Sequence, residues 1–268
     1  MLVKEVTAKS CMTKSKLTDY VINPYSGCQH GCKYCYAVFM KRFLDAKEDW
    51  GQFIYVKMNC PELLKKELDI NPPGTIFMSS VTDCYSPIES KYMLTRKILE
   101  TIKDSPSKKK FHIEILTKSA LVKRDFDLIK DLDIELGMSI NTLDDAAARF
   151  IEPFASLPRI RLQVLKDAKA QGIKVYGFIS PVIPGITDLE ILFKELSFCD
   201  YVWVELLNTR PNYIEKLMTA LKEHYPKSFE GVDYAIKNPE EYYAKIKDQV
   251  DELSKKYELK VRKVVAHQ

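Results

Sequence analysis

Several common signatures are missing from this 268-residue chain. No apolar window approaches the roughly 20 residues needed to span a bilayer, so no membrane-spanning segment is expected. The start, Met1 to Ser10, alternates charged and apolar residues and lacks the apolar stretch of a secretory leader. No G-x-G-x-x-G follows an apolar run, and no G-x-x-x-x-G-K followed by Ser or Thr is present. Their absence removes the usual phosphate-binding fingerprints of doubly wound nucleotide folds. A large excess of one charge is missing too: 41 basic against 37 acidic side chains leave only +4. That permits an anionic partner without arguing for one. There is no low-complexity tract, and Lys108-Lys109-Lys110 reads as a solvated loop. Seven cysteines are an odd number and do not read as a disulfide framework. The expectation is a soluble, reduced, cytoplasmic protein with no membrane partner.

A further absence lies inside the cysteine set. Cys28, Cys32 and Cys35 stand in a C-x-x-x-C-x-x-C run with no fourth cysteine nearby. Thiolates at this density hold a metal or an iron–sulfur cluster. A cubane has four corners, so three thiolates leave one iron open to a small molecule, whereas a structural site is closed by a fourth ligand. The alternative is a zinc site that adds His30, although no second half-site of the usual zinc spacing is present.

The rest of the chain alternates short apolar runs with amphipathic helical stretches. Strands are predicted at 53–58, 75–81, 111–117, 134–140, 174–180 and 201–207, with others near 19–23 and 259–265. Helices are predicted from Pro61 to Leu68 with Asn59 as a cap, and over 90–102, 158–170 and 188–196. This alternation argues for a parallel sheet covered by helices. Polar residues gather where the predicted strands end: Thr82-Asp83, Thr117-Lys118, Ser139 with Asn141, Ser180, and Glu205 with Asn208. Barrels place their chemistry at that end. The expected fold is therefore α/β, a partial (β/α)6 TIM-like barrel over 1–208 with a cluster loop near 24–37. A helical C-terminal extension over 209–268 packs on or caps it.

The segment from Asn23 to Ala37, with an aromatic Tyr34 just before the third cysteine, resembles the cluster loop of radical S-adenosylmethionine enzymes. Within that superfamily it is similar to the spore photoproduct lyase-related branch, often labelled DNA-repair photolyase-like. The likeness continues in Ser79-Ser-Val-Thr-Asp83-Cys-Tyr-Ser-Pro-Ile-Glu89, in Leu116-Thr-Lys-Ser119 with Arg124-Asp125, and in Ser139-Ile-Asn-Thr-Leu-Asp144. It also runs through Arg149 to Pro153 and Pro181-Val-Ile-Pro-Gly-Ile-Thr-Asp188.

The resemblance implies a 4Fe-4S cluster on Cys28, Cys32 and Cys35, with S-adenosylmethionine on the open iron. Reductive cleavage then yields a 5′-deoxyadenosyl radical that takes hydrogen from an unidentified substrate, with an electron donor such as ferredoxin or flavodoxin. It suggests Tyr34 against the adenine, or else a core aromatic. Thr82 and Asp83 would meet the methionine ammonium, or else cap a helix. Lys118 would meet the methionine carboxylate, with Arg149 as the alternative. Ser139 and Asn141 would meet the ribose, unless Ser139 is bonded to backbone. Ile183 and Pro184 would line the adenine edge, or simply form a turn. Cys84 is the candidate hydrogen donor, against a role as a small buried hydrophobe. His30 reads as loop structure or a bond to the cluster, and Glu205, Asn208 and Arg210 as substrate-facing. The substrate alternatives are a nucleic-acid lesion, or a peptide, tRNA or metabolite to be tailored. The rival class is a non-catalytic zinc or iron–sulfur protein that recruits a partner.

Overall fold

The computed structural model describes residues 1–267 and resolves them into two compact units. The first comprises Met1–Gly31, Ala37–Gly137 and Asp167–Lys174. The second comprises Cys32–Tyr36, Met138–Lys166 and the chain from Val175 onward. The two units thus divide the cysteine run between them after Gly31.

In the first unit, β2 (Met12–Lys14) pairs antiparallel with β3 (Tyr20–Ile22). Parallel pairing then leads through β6 (Gly74–Met78) to β7 (Phe111–Thr117), and β8 (Ile134–Ser139) lies next in order. The helices α1 (Cys60–Ile70), α2 (Glu89–Tyr92), α3 (Leu94–Asp104) and α4 (Phe126–Ile129) connect these strands. β7 shows why the sheet forms. Phe111, Ile113, Ile115 and Thr117 are buried, while the intervening residues are half-buried, the period-2 pattern of a strand. α3 buries the stripe Leu94, Ile98, Leu99 and Ile102.

β8 is buried at every position, as a strand covered on both faces should be. Its last two residues belong to the second unit. There the order continues through β9 (Lys174–Val182) and β10 (Tyr201–Leu206) to β11 (Val261–Val265), with β10 parallel to both neighbours. Helices α5 (Asp145–Ile151), α6 (Pro158–Ala170) and α7 (Leu189–Leu196) lie between the strands. The helices α8 (Pro211–His224), α9 (Pro226–Lys237) and α10 (Pro239–Lys256) each open on proline, whose missing N–H is tolerated in the first turn. The second unit runs without a break through residue 208. Gly231 of α9 lies so close to Pro184 that a Cβ there would come within 2.6 Å of the proline ring.

The fold is α/β with a parallel sheet, as expected. Three local expectations differ. The predicted strand at 53–58 forms β5 (Phe53–Lys57) but lies outside the main sheet. It pairs in parallel with β1 (Leu2–Val6) and antiparallel with β4 (Tyr25–Ser26), so both its edges are filled. The predicted helix over 90–102 breaks at Met93, whose φ of 53° ends α2 before α3 begins. Asn59 does not cap α1 with its side chain. It reaches back instead to Ala8, accepting from its N–H at 2.8 Å and donating to its carbonyl at 2.9 Å. Among the described residues, no helix is long and apolar enough to cross a membrane.

Candidate functional site

The first half of the cysteine loop is fixed from within its own unit. Gly27 has a φ of +90°, and a Cβ there would stand 2.5 Å from the Phe53 carbonyl, so the turn into Cys28 requires glycine. Thr82 is half-buried and donates from Oγ1 to the Gly27 carbonyl at 2.5 Å. Ser86 Oγ lies 3.9 Å from Cys28 Sγ and accepts from the Gln29 N–H at 3.3 Å. His30, buried, donates from Nε2 to Asp83 Oδ2 at 2.9 Å.

Asp83 joins two of the sequence motifs. Oδ1 accepts from Thr117 Oγ1 at 2.7 Å and from the Tyr85 N–H at 2.8 Å. Oδ2 accepts from the Lys118 N–H at 2.9 Å in addition to His30. Burial alone would raise the pKa of this carboxyl, but the charge and hydrogen bond of His30, with the Lys118 and Thr117 donors, bring it down to about 2. Both oxygens already accept two donors and the residue is 5% exposed. Asp83 thereby anchors His30 and the start of the Lys118 turn. Lys118 is half-buried, and its backbone is tied into this network.

Cys84 follows Asp83 in the chain. It is completely buried, and burial with the charge of Asp83 pushes its thiol well up, so it is neither accessible nor ionised. It occupies the position of a small core residue. Behind it lies a network that sequence reading missed. Fully buried Glu89 accepts from the Tyr25 hydroxyl, from Arg124 Nη2 at 2.6 Å and from the Thr95 N–H at 3.0 Å. The Arg124-Asp125 motif belongs to this structural network: Arg124 Nε donates to Asp125 Oδ1 at 2.8 Å.

The second half of the loop is held inside the second unit. The Lys33 N–H donates to the Ile151 carbonyl at 2.9 Å, and its ammonium lies 5.0 Å from the Phe150 ring centre. The Tyr34 ring packs on a core that includes Ile151, Ile183, Leu217 and Val232, and its hydroxyl donates to Glu152. Burial and the negative Glu152 push the Tyr34 phenol well up, so it stays a donor. Glu152 also pairs with Arg161, which donates to the Ser139 carbonyl at 2.8 Å and the Ser156 carbonyl at 2.6 Å. Neither Glu152 nor Arg161 was singled out for this role by the sequence. Both charges are visible there, but nothing in a one-dimensional pattern marks them as buried.

The Ser139 hydroxyl donates to the Ser180 carbonyl at 3.2 Å, a bond to backbone. Arg149 donates to the Pro153 carbonyl at 3.1 Å, which sets it to closing its own turn. Ile183 is wholly buried in the Tyr34 core, and its N–H donates to Thr187 Oγ1 at 2.9 Å, while Pro184 lies against α9. Glu205 accepts from the Ser180 hydroxyl and from His267 Nε2, the latter at 3.0 Å.

Asn141 stands apart. It is completely buried, yet neither its Oδ1 nor its Nδ2 has a hydrogen-bond partner. An amide in that state costs about 1–3 kcal/mol unless something pairs with it. Its paired donor and acceptor suit the hydroxyls of a sugar, so this residue fits a ribose-bearing cofactor. One further group of possible metal ligands occurs among the described residues. His112, Glu114 and Glu135 bring ligand atoms within 4.8 Å of one another near the start of β7 and β8. Lys174 already pairs with Glu135, and Asp133 lies 3.0 Å from His112 Nδ1. That group is an ion-pair network at the ends of the strands where parallel folds do not place their chemistry.

Comparison with known proteins gives this arrangement its context. Residues 22–193 match the Radical SAM superfamily. An uncharacterized protein of Methanocaldococcus jannaschii is 37% identical over 267 residues, covering 98% of this chain and 97% of that one. An uncharacterized protein of Acidianus two-tailed virus is 36% identical, covering 76% of this chain and 73% of its own length. Among solved structures, a spore photoproduct lyase variant with bound AdoMet and dinucleoside spore photoproduct superposes with a TM-score of 0.71. It is 16% identical, with 98% of this chain and 81% of that one covered, so the likeness is one of fold. The matched region contains all three cysteines of the loop, and the chain belongs to the radical S-adenosylmethionine superfamily.

Proposed function

We propose that this protein is a radical S-adenosylmethionine enzyme whose 4Fe-4S cluster is held by Cys28, Cys32 and Cys35. The observation that carries the reading is the three-cysteine loop, within the family-matched region, with each half tied by a non-ligand side chain to a buried carboxylate. The residues present fit the group: three half-buried thiols for three irons, and an unpartnered buried amide suited to the ribose of the co-substrate.

Bound there, the cluster and S-adenosylmethionine supply one-electron cleavage of a carbon–sulfur bond and the 5′-deoxyadenosyl radical that takes a hydrogen atom from substrate. The chain's own residues do the placing. Cys28, Cys32 and Cys35 leave one iron open. Asn141 binds and orients the ribose. Tyr34, with its hydroxyl fixed on Glu152, would lie against the adenine, and the Ile183–Pro184 turn would border it. Thr82 holds the Gly27 carbonyl, and Lys118 carries the cation for the methionine carboxylate. Low-potential electrons come from a ferredoxin- or flavodoxin-type donor. In this reading β3, β6, β7, β8, β9 and β10 are the strands of a partial (β/α)6 barrel, and the chain beyond 208 is its extension.

The test is anaerobic reconstitution followed by S-adenosylmethionine and dithionite. The expected product is 5′-deoxyadenosine, lost with the bound iron in Cys28→Ala and retained in Cys60→Ala, whose cysteine heads α1. A protein that keeps one zinc and makes no 5′-deoxyadenosine would overturn the proposal. Transfer of deuterium from a labelled, fractionated extract into 5′-deoxyadenosine then identifies the substrate.

A further inference from the structure

The loop residues Cys32–Tyr36 are seated by contacts that involve no thiol. Lys33 is bonded through its N–H to Ile151 at 2.9 Å, and Tyr34 through its hydroxyl to Glu152. Glu152 and Arg161 are each 1% exposed and form an ion pair. A buried pair is a poor way to gain stability, because desolvating both charges offsets most of their attraction. Apolar residues of similar volume would fill the same space. What the pair supplies is direction. The guanidinium presents fixed N–H vectors, and here three of its nitrogens are used: toward Glu152, toward the Ser156 carbonyl and toward the Ser139 carbonyl. One side of the pair thus holds the residue between two cysteines. The other holds the last residue of β8, two positions before Asn141.

We propose that Glu152, charge-balanced by Arg161, is a positioning residue that holds Cys32–Tyr36 in its ligand-presenting conformation before any cluster arrives, and sets that half-loop in register with the end of β8. The inference rests on the proposed function for the identity of the cluster, but the seat is a property of the protein without it. The reason is entropic. A flexible half-loop would have to be ordered at the moment of ligation, whereas this one is ordered by folding. Two parts of the seat lie between the second and third cysteines, the Lys33 N–H and the Tyr34 hydroxyl, and of these only the hydroxyl is a side-chain group that substitution can remove. Removing that hydroxyl therefore loosens the loop while leaving the ring in its core and the Glu152–Arg161 pair intact.

The experiment compares hydrogen exchange of the full chain, stripped of iron with a chelator under anaerobic conditions, in wild type, Tyr34→Phe and Glu152→Gln. Leu64→Ala, at a buried site in α1, serves as a control for general destabilisation. In the wild type, amides of 33–36 are expected to be protected about 100-fold over the free-peptide rate. In Tyr34→Phe that protection falls about tenfold at 33–36, while Leu64→Ala leaves it unchanged relative to its neighbours. Glu152→Gln, which strands the Arg161 charge, loosens 139–142 as well. Reconstitution of Tyr34→Phe is expected to reach the wild-type iron content about fivefold more slowly. The electron paramagnetic resonance signal of its reduced cluster should shift, a change that general destabilisation in Leu64→Ala does not produce.

Free-peptide exchange at 33–36 in the iron-free wild type overturns the proposal, as does unchanged exchange in Tyr34→Phe. Should Glu152→Gln fail to fold, Tyr34→Phe alone decides. A wild type that assembles no cluster sinks the proposed function but not the seat, since the exchange measurement needs no iron.

Discussion

The two halves of the cysteine loop are anchored by the same device made from different parts. In the first half, His30 donates to Asp83; in the second, Tyr34 donates to Glu152. Each half thus hangs on a buried carboxylate through a side chain that is not a cysteine. The carboxylates differ in how they are balanced. Asp83 is held by His30 together with three neutral donors, two of them backbone N–H groups and one the Thr117 hydroxyl. Glu152 is balanced by a full guanidinium. A carboxylate held by neutral donors besides its charged partner keeps part of its stabilisation when that partner is lost. One held by a single cation fails when that cation is removed. The difference predicts a tolerant anchor and a brittle one.

The largest effect that could break this comparison is at the brittle anchor. Arg161→Met leaves Glu152 buried without its cation and should cost about 3–5 kcal/mol of unfolding free energy. Adding Glu152→Gln to it should recover part of that loss. Urea denaturation of the two single variants and the double variant measures the coupling. A loss below about 1 kcal/mol for Arg161→Met would show that the pair is no more demanding than a neutral hydrogen bond.

The tolerant anchor should lose less and should carry a pH signature. Asp83 has its pKa at about 2 in the folded chain, below the ordinary 3.8. Its contribution, about 2 kcal/mol, is therefore present above the unfolded value and disappears as the pH falls through 3.8 toward 2. Asp83→Asn should be less stable than wild type by about that amount at pH 5 to 7, and the gap should close below pH 4. A gap that stays constant down to pH 2 would mean the carboxylate charge is not what the network stabilises.

The smallest effect concerns Cys84, directly beside Asp83 in the chain. As a fully buried thiol it contributes packing, so Cys84→Ala should cost about 1 kcal/mol. Its yield of 5′-deoxyadenosine per cluster should match wild type. Loss of that yield, with the protein folded, would give the thiol a chemical role.

Much of the scaffold could be read along the chain. Strands β7, β8, β9 and β10 lie where alternation and apolar runs indicated, because a strand's burial pattern is written in consecutive residues. The failures are instructive. The run that forms β5 has the composition of a barrel strand, but β1 and β4 occupy both of its edges. The apolar stripe of 90–102 is genuine, yet Glu89 accepts from the Thr95 N–H and the chain turns at Met93. Asp83 and Ser139, singled out along the chain for a cofactor, are bonded within the fold to His30, to the Lys118 N–H and to the Ser180 carbonyl. Asn141 keeps the unsatisfied amide suited to a ligand.

Local order of residues was enough for the cysteine spacing, the aromatic between the second and third thiols, and the family, because all of these are features of contiguous segments. Which acid anchors which half of the loop was chosen by long-range packing. His30 meets Asp83 across 53 positions, and Tyr34 meets Glu152 across 118. A hydrogen bond needs two atoms within about 3 Å. At such separations only the order of strands and the docking of α5 and α6 bring them there, and nothing in the spelling of either partner alone foretells it.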